Sequence, residues 1–193
     1  MKLIIASNNS HKVYEIKQIL KDRFDEILSL REAGVNHETV EDGATFAENA
    51  MKKAREIAEI TGCAALADDS GLCVNALGGA PGIYSARYAA DSHGHTSDKA
   101  NCDLLLENLR DVDDRSAYFA CTIALAYPDG RSVLAEGFMH GSIIDTPKGT
   151  NGFGYDPIFL PINDTRTVAE LTDDEKNAIS HRGNALAELL TKI

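Results

Sequence analysis

The chain has 193 residues, 44% hydrophobic and 25% charged, which suits one globular domain with a sizeable core better than two independent domains. Its net charge is −11 and it has no Lys/Arg cluster, so it lacks the basic footprint that docks a nucleic-acid backbone. Cys63, Cys73, Cys102 and Cys121 form no CxxC pair, which argues against a structural zinc site or a thioredoxin-type motif.

Residues 2–6 read as a short strand buried on both faces. No signal-peptide pattern is seen and no apolar run approaches membrane length, so a soluble cytoplasmic protein with no membrane partner is expected. Ser7-Asn8-Asn9-Ser10-His11-Lys12 then forms a polar turn ahead of an amphipathic helix with Val13, Ile16, Ile19 and Leu20 at helical spacing. Such a turn presents backbone N–H groups and a positive dipole end to an anion, and Lys12 adds a full charge. The plainer alternative is that Ser and Asn only cap the helix. A lysine near a helix N-terminus fits that alternative poorly unless an anion is present.

Residues 27–30 read as a second strand, and the polar stretch to Glu41-Asp42-Gly43 as a loop. Thr45-Phe46-Ala47-Glu48 matches a capping box and predicts a helix to about Ile60, burying Phe46, Ala50, Ala54, Ile57 and Ala58, with Gly62 as its stop. Lys52 and Lys53 read as solvated helix residues, one of them a candidate to face a cleft. The apolar residues 63–67 run into Asp68-Asp69-Ser70-Gly71. Asp is depleted in strands and is rarely buried unless paired or bound to a metal. Two readings stand: a turn in which Asp and Ser bond their own backbone, or a site for a divalent cation and a phosphate-bearing substrate. Residues 72–74 read as a separate strand beyond that break.

Gly78-Gly79-Ala80-Pro81-Gly82 is a loop and residues 83–88 a short helical piece. His93 and His95 stand at i, i+2 in a polar segment, a weak metal signal with no Cys or carboxylate framework beside it. Thr96 or Ser97 caps a helix holding Leu104, Leu105, Leu106 and Leu109. Residues 116–127 and 131–140 flank Pro128-Asp129-Gly130 as a hairpin. Residues 149–157 are glycine-dense and carry Phe153 and Tyr155, both read as exposed aromatics, but the spacing is neither GxGxxG nor Walker A. Thr172-Asp173-Asp174-Glu175 is a second capping box leading to Lys176, and Ser180-His181-Arg182-Gly183-Asn184 opens a C-terminal helix. Early strand–helix alternation with a central hairpin predicts a mixed α/β sheet.

These pieces suit a nucleoside triphosphate. The Asn9/Lys12 turn, Lys176 and the His181/Arg182 helix start offer donors to anionic oxygens. Glu41 and Asp69, with Asp68, offer hard oxygens to magnesium, and Phe153 and Tyr155 could stack on a purine. A carboxylate beside a magnesium-bound water can deprotonate it for in-line attack on phosphorus.

Six ordered motifs resemble the inosine triphosphate pyrophosphatase family, also called Ham1-like. They are Ser7-Asn8-Asn9-Ser10-His11-Lys12, Thr45-Phe46-x-Glu48-Asn49-Ala50, Ala67-Asp68-Asp69-Ser70-Gly71-Leu72, Gly78-Gly79-Ala80-Pro81-Gly82-x-Tyr84-Ser85-Ala86-Arg87, Gly152-Phe153-Gly154-Tyr155-Asp156-Pro157 and Ser180-His181-Arg182-Gly183. The resemblance implies a Maf/Ham1-like α/β fold: an elongated mixed sheet flanked by helices, one two-lobed domain over residues 1–193 with a central cleft, and a homodimer. It implies magnesium-dependent hydrolysis of ITP, dITP and XTP to monophosphate and pyrophosphate. Carried over by position, Asp69 would be the general base and a metal ligand, and Glu41 the second ligand. Ser7, Asn8, Asn9, Ser10, His11 and Lys12 would hold phosphates. Ser70, Phe153, Gly154, Tyr155 and Asp156 would contact substrate, and Lys176, His181 and Arg182 would complete the base and phosphate contacts. A 6-oxo purine would pair with donors such as backbone N–H groups or Arg182, which adenine would leave unpaired. One departure is Asn8, where many members have glycine, so Asn8 must accept that backbone conformation. A binding-only relative could dispense with Asp69 and Glu41, and both are present here. The Maf-type pyrophosphatases, which act on pyrimidine or modified nucleotides, fit the last two motifs less well.

Overall fold

A computed structural model describes residues 2–91 and 94–193. The elements run β1 (Lys2–Ile5), α1 (Ser10–Leu20), β2 (Glu26–Ser29), α2 (Phe46–Thr61), β3 (Ala64–Val74), α3 (Asp98–Asn108), β4 (Ser116–Ala126), β5 (Ser132–Ile143), β6 (Phe159–Pro161), α4 (Asp173–Ile179) and α5 (His181–Leu190), with four short 3-10 turns between them. One six-stranded sheet has the order β2-β1-β3-β4-β5-β6. β1 pairs in parallel with β2 and β3, while β5 and β6 are antiparallel. The sheet is therefore mixed, as the alternation of elements predicted.

The chain divides into two compact units. The first comprises Met1–Asp69, Cys121–Gly137 and His181–Ile193, and the second comprises Ser70–Ala120 and Phe138–Ser180. In the first unit strand alternation sorts the core onto two sheet faces. Leu3, Ile5, Ala64, Leu66, Cys121, Ile123 and Leu125 meet Ile16 and Leu20 of α1 and Ala185, Leu186 and Leu189 of α5. Ile4, Ala6, Ala65, Ala67, Ala124 and Ala126 meet Ala50, Ala54, Ile57 and Ala58 of α2 on the other face. The small residues on this second face let α2 lie close to the strands. The second unit has its own core, in which Leu72, Val74, Leu105, Phe119, Tyr155, Ile158 and Phe159 take part.

α2 starts and stops where its sequence signals place it: Thr45 Oγ1 accepts from Glu48 N–H, and the helix ends at Gly62. The Glu48 side chain reaches the N–H of Ala44 rather than that of Thr45. One expectation is corrected. Residues 64–74 are a single unbroken strand, so no turn lies at Asp68-Asp69 and residues 72–74 are not a separate element. All four cysteines are free thiols; Cys73, Cys102 and Cys121 are buried and Cys63 is half-buried. No helix of the described residues is long and apolar enough to cross a membrane.

Candidate active site

Because β3 continues through Asp68 and Asp69, their carboxylates must leave the strand on opposite faces. Asp68 has the parity of Ala64 and Leu66, the face covered by α1 and α5. There Arg182 of α5 donates from Nη2 at 2.8 Å and from Nε at 3.1 Å to Asp68 Oδ2. Lys12 of α1 places Nζ 2.8 Å from Oδ1. Arg182 also pairs with Glu15 on α1, and the Cys121 thiol points at Asp68 Oδ2 from 3.5 Å. Burial opposes the charge on Asp68, but Arg182, Lys12 and Lys53 outweigh it and hold the carboxyl well below the usual range. Asp68 is therefore a fixed anion at the centre of a buried ion cluster.

Asp69 has the parity of Ala65 and Ala67 and faces α2. Asn49 Nδ2 donates to Oδ2 at 3.1 Å and Lys53 Nζ to Oδ1 at 3.3 Å. Lys53 also donates to Glu41 Oε1 at 2.6 Å, so one ammonium bridges Glu41 and Asp69. Burial lifts the Asp69 carboxyl above its usual range, with Glu41 adding to the rise against Lys53 and Lys12. Burial works against the charge on Lys53 too, yet Asp69, Asp68 and Glu41 together hold that ammonium above its usual value. The same contact favours the lysine charge more than the aspartate charge, because Lys53 has three acids near it while Asp69 also faces one. Two adjacent aspartates thus have opposite characters: Asp68 is a permanently charged, fully paired anion, and Asp69 is the more basic and the better proton acceptor.

The turn of residues 7–12 holds α1 by its cap. Asn9 Oδ1 accepts from the N–H groups of His11 and Lys12 at 3.0 and 3.2 Å, and Ser7 Oγ accepts from Asn9 N–H at 3.2 Å. The capping reading therefore holds for Asn9. Ser10 and His11 are exposed beside it. Asn8 does not need a glycine backbone. Asn163 is the non-glycine residue at positive φ among the described residues, and the Asn8 side chain instead reaches the carbonyl of His37 at 3.4 Å.

The glycine-dense loop belongs to the second unit. Lys176 Nζ lies 4.7 Å from the centroid of the Phe153 ring and donates to Asp156 Oδ2 at 2.8 Å. The same Asp156 oxygen accepts from Phe153 N–H at 2.9 Å, and Asp98 Oδ2 accepts from Gly154 N–H at 2.7 Å. A Cβ on Gly152, which has φ +73°, would come within 2.0 Å of Asp156 Oδ2, so only glycine permits this closure. Tyr155 is corrected: it is 4% exposed within the second core, and its hydroxyl donates to the Ser85 carbonyl at 2.8 Å. Its ring is core, and Phe153 is left as the half-exposed aromatic of the loop. Ser70, next along β3 from Asp69, is half-buried.

Arg182 also departs from expectation. At 1% exposure, held by Asp68 and Glu15, it is the structural cation of the ion cluster rather than an open donor to a base. His181 is buried beside it in the chain. His93 lies outside the described residues, and His95 is engaged with Asp91. Among the described residues no group of three His, Cys, Asp or Glu forms a ready metal cage. Sequence reasoning gave no role to Asn49, Glu15 or Asp98. A signal existed for two contributors: Asn49 and Lys53 lie in the apolar stripe of α2 beside Ala50, Ala54 and Ile57, where a polar residue demands a partner.

A sequence model of the Ham1 family matches residues 3–192. The chain is 49% identical to the dITP/XTP pyrophosphatase of Streptomyces avermitilis, over 98% of this chain and 95% of that protein. It is 50% identical to the dITP/XTP pyrophosphatase of Clostridium perfringens, over 97% and 95%. A solved structure of a HAM1 protein from Coxiella burnetii superposes with a TM-score of 0.88 at 43% identity, covering 100% of both chains.

Proposed function

The chain belongs to the Ham1 family, and from that premise we propose that it hydrolyses the triphosphates of non-standard purine nucleosides, ITP, dITP and XTP, to the monophosphate and pyrophosphate. The observation that carries the reading is the separation of Asp68 from Asp69 by strand alternation. It leaves one basic carboxylate next to a second acid, Glu41, with a cation already bridging the two.

That pair suits magnesium, which takes one or two carboxylates and fills its remaining positions with water and substrate phosphates. Glu41 and Asp69 would hold the ion, which when bound neutralises phosphate charge and acidifies water. The chain's own groups do the rest. Asp69 accepts the proton of the water that attacks the α-phosphorus; the α–β anhydride bond breaks and pyrophosphate leaves in line. Lys53 keeps Asp69 and Glu41 together. Lys12, held by Asp68 at the first turn of α1, directs its charge to the phosphates along with the turn of Ser7, Asn8, Asn9, Ser10 and His11.

Phe153 is assigned to the purine face, with Gly154 and Asp156 shaping its loop, and Lys176, whose ammonium lies against the Phe153 ring, to the 6-oxo oxygen. Lys176→Met keeps the stem and removes the donor. It is expected to raise KM for ITP about tenfold, the loss of roughly 1.4 kcal/mol, with a smaller change in kcat. An unchanged KM would remove Lys176 from base recognition. The reading also includes Ser70 as a substrate contact, a homodimer, and a cytoplasmic location with no nucleic-acid or membrane partner. The test of the whole is a substrate panel of ITP, XTP, GTP, ATP and dUTP with products identified. Rapid release of pyrophosphate from ITP and XTP is expected; orthophosphate as the product, or equal rates on ATP, would overturn it.

A further inference from the structure

Glu41 sits on a segment with almost no structure of its own. Residues 35–43 form neither helix nor strand. Within residues 36–44 one backbone–backbone bond is made, from Asp42 N–H to the Val40 carbonyl at 3.2 Å. Val40 is 69% exposed, so it does not anchor the segment by burial. The segment is instead tied along one side of α2, at positions three and four apart that share a helix face. Glu48 accepts from Ala44 N–H at 2.6 Å and Asn49 from Gly43 N–H at 2.8 Å. Lys52 pairs with Asp42 at 2.7 Å and Lys53 with Glu41 at 2.6 Å. One turn further, Glu56 Oε2 accepts from both His37 Nε2 at 2.7 Å and Thr39 Oγ1 at 2.6 Å. The loop lies so close that a Cβ on Gly43 would come within 2.7 Å of Asn49 Oδ1 and 2.8 Å of Glu48 Cβ.

The ties differ in kind. Asn49 and Lys53 also touch Asp69 and belong to the site itself. Lys52–Asp42 is an exposed pair, a class that contributes little. Glu56 touches none of the groups assigned to chemistry, yet it gathers two side chains of the loop onto one oxygen. His37 in turn gives its carbonyl to Asn8 of the phosphate turn, so the latch borders both proposed contacts of the triphosphate.

We propose that Glu56, through His37 and Thr39, is a positioning residue that fixes the loop bearing Glu41, and that the protein's affinity for its divalent cation depends on this latch. The proposal rests on the reading of Glu41 as a metal ligand. A ligand on a loop held in place binds without first ordering that loop, and partners that orient a metal ligand govern affinity although they never touch the ion.

The test compares wild type, Glu56→Ala, Glu56→Gln, Glu41→Ala and the double variant Glu41→Ala/Glu56→Ala. Two quantities are read: Mn²⁺ binding, from the free-ion paramagnetic signal, and the Mg²⁺ concentration giving half-maximal turnover at saturating ITP. Glu56→Ala is expected to weaken both about tenfold, with kcat at saturating Mg²⁺ within about threefold of wild type. Glu56→Gln, which keeps an acceptor oxygen, should recover much of the loss. The double variant should be no weaker than Glu41→Ala, because the latch acts through Glu41. If Glu41→Ala weakens metal binding and Glu56→Ala does not, the latch is overturned while the metal reading stands. If Glu41→Ala itself binds metal as wild type does, the metal reading falls and the proposal falls with it. A lowered melting temperature of Glu56→Ala with unchanged metal dependence marks a merely structural tie and also overturns the proposal. Should Glu56→Ala not fold, Thr39→Val and His37→Asn each remove one arm of the latch, and each must raise the Mg²⁺ requirement for the proposal to stand.

Discussion

Asp69→Asn is expected to reduce kcat for ITP by about 10³-fold, the range that a positioned general base supplies, while leaving ITP affinity within a few-fold of wild type. The substitution keeps the shape and the Asn49 and Lys53 neighbours of the side chain but removes the lone pair that takes the proton. It also exchanges a carboxylate for a neutral amide oxygen as a cation ligand, an effect that excess Mg²⁺ offsets, so the loss that remains at saturating Mg²⁺ measures the missing base. The measurement is single-turnover hydrolysis beside equilibrium binding of ITP. Near wild-type turnover would show that the base lies elsewhere. The control is Asp68→Asn, one residue away: it should show a lowered Tm and not a selective loss of the chemical step, because Asp68 is enclosed by Arg182 and Lys12. Two neighbouring aspartates that fail in different ways would separate the faces of β3 in a single experiment.

How far the sequence shows this site depends on the reach of each interaction. The helix α2 is legible because its signals are local: an apolar stripe along its sixteen residues, with a Thr cap and a glycine stop directly flanking them. The strand β3 is not, because strand propensity breaks at two aspartates. What compensates the buried charge of Asp68 is Arg182, 114 residues away along the chain, which no local pattern exposes. The alternation rule would have separated the two carboxylates at once had the strand been read as unbroken. The burial of Tyr155 is hidden from the sequence for a related reason. A tyrosine among glycines resembles an exposed platform, and its burial depends on Ser85, 70 residues upstream, as the acceptor of its hydroxyl. The glycine density of the loop is itself legible, and Gly152 gives one reason for it, since a side chain there would meet Asp156. Glu15 is not legible either, because a glutamate in an exposed-looking helix turn carries no mark of a partner on α5.

The ion cluster around Asp68 gives the second large effect, on stability. Arg182 lies fully inside the protein between Asp68 and Glu15, and Lys12 completes the balance. Removing one member of such a cluster strands buried charge. Arg182→Met, close in volume and unable to pair, is therefore expected to destabilise the fold by about 3–5 kcal/mol. For a chain of this size that is a fall of roughly 10 °C in Tm, readable by calorimetry. Adding Glu15→Gln to Arg182→Met should recover part of the loss by removing one uncompensated acid, which a pure packing defect would not allow. A Tm for Arg182→Met within about 2 °C of wild type would mean that the cluster contributes no net stability. The pH dependence has a definite sign. The folded Asp68 carboxyl lies well below its unfolded value of about 3.9, so its ion-pair contribution is fully present above that pH. As pH falls below about 3.9 the unfolded chain takes up a proton that the folded chain does not, and wild type loses its advantage over Asp68→Asn. The gap in Tm between the two should be constant from about pH 5 to 8 and close only in stronger acid. A gap that instead closed near neutrality would assign the stabilisation to some group other than Asp68.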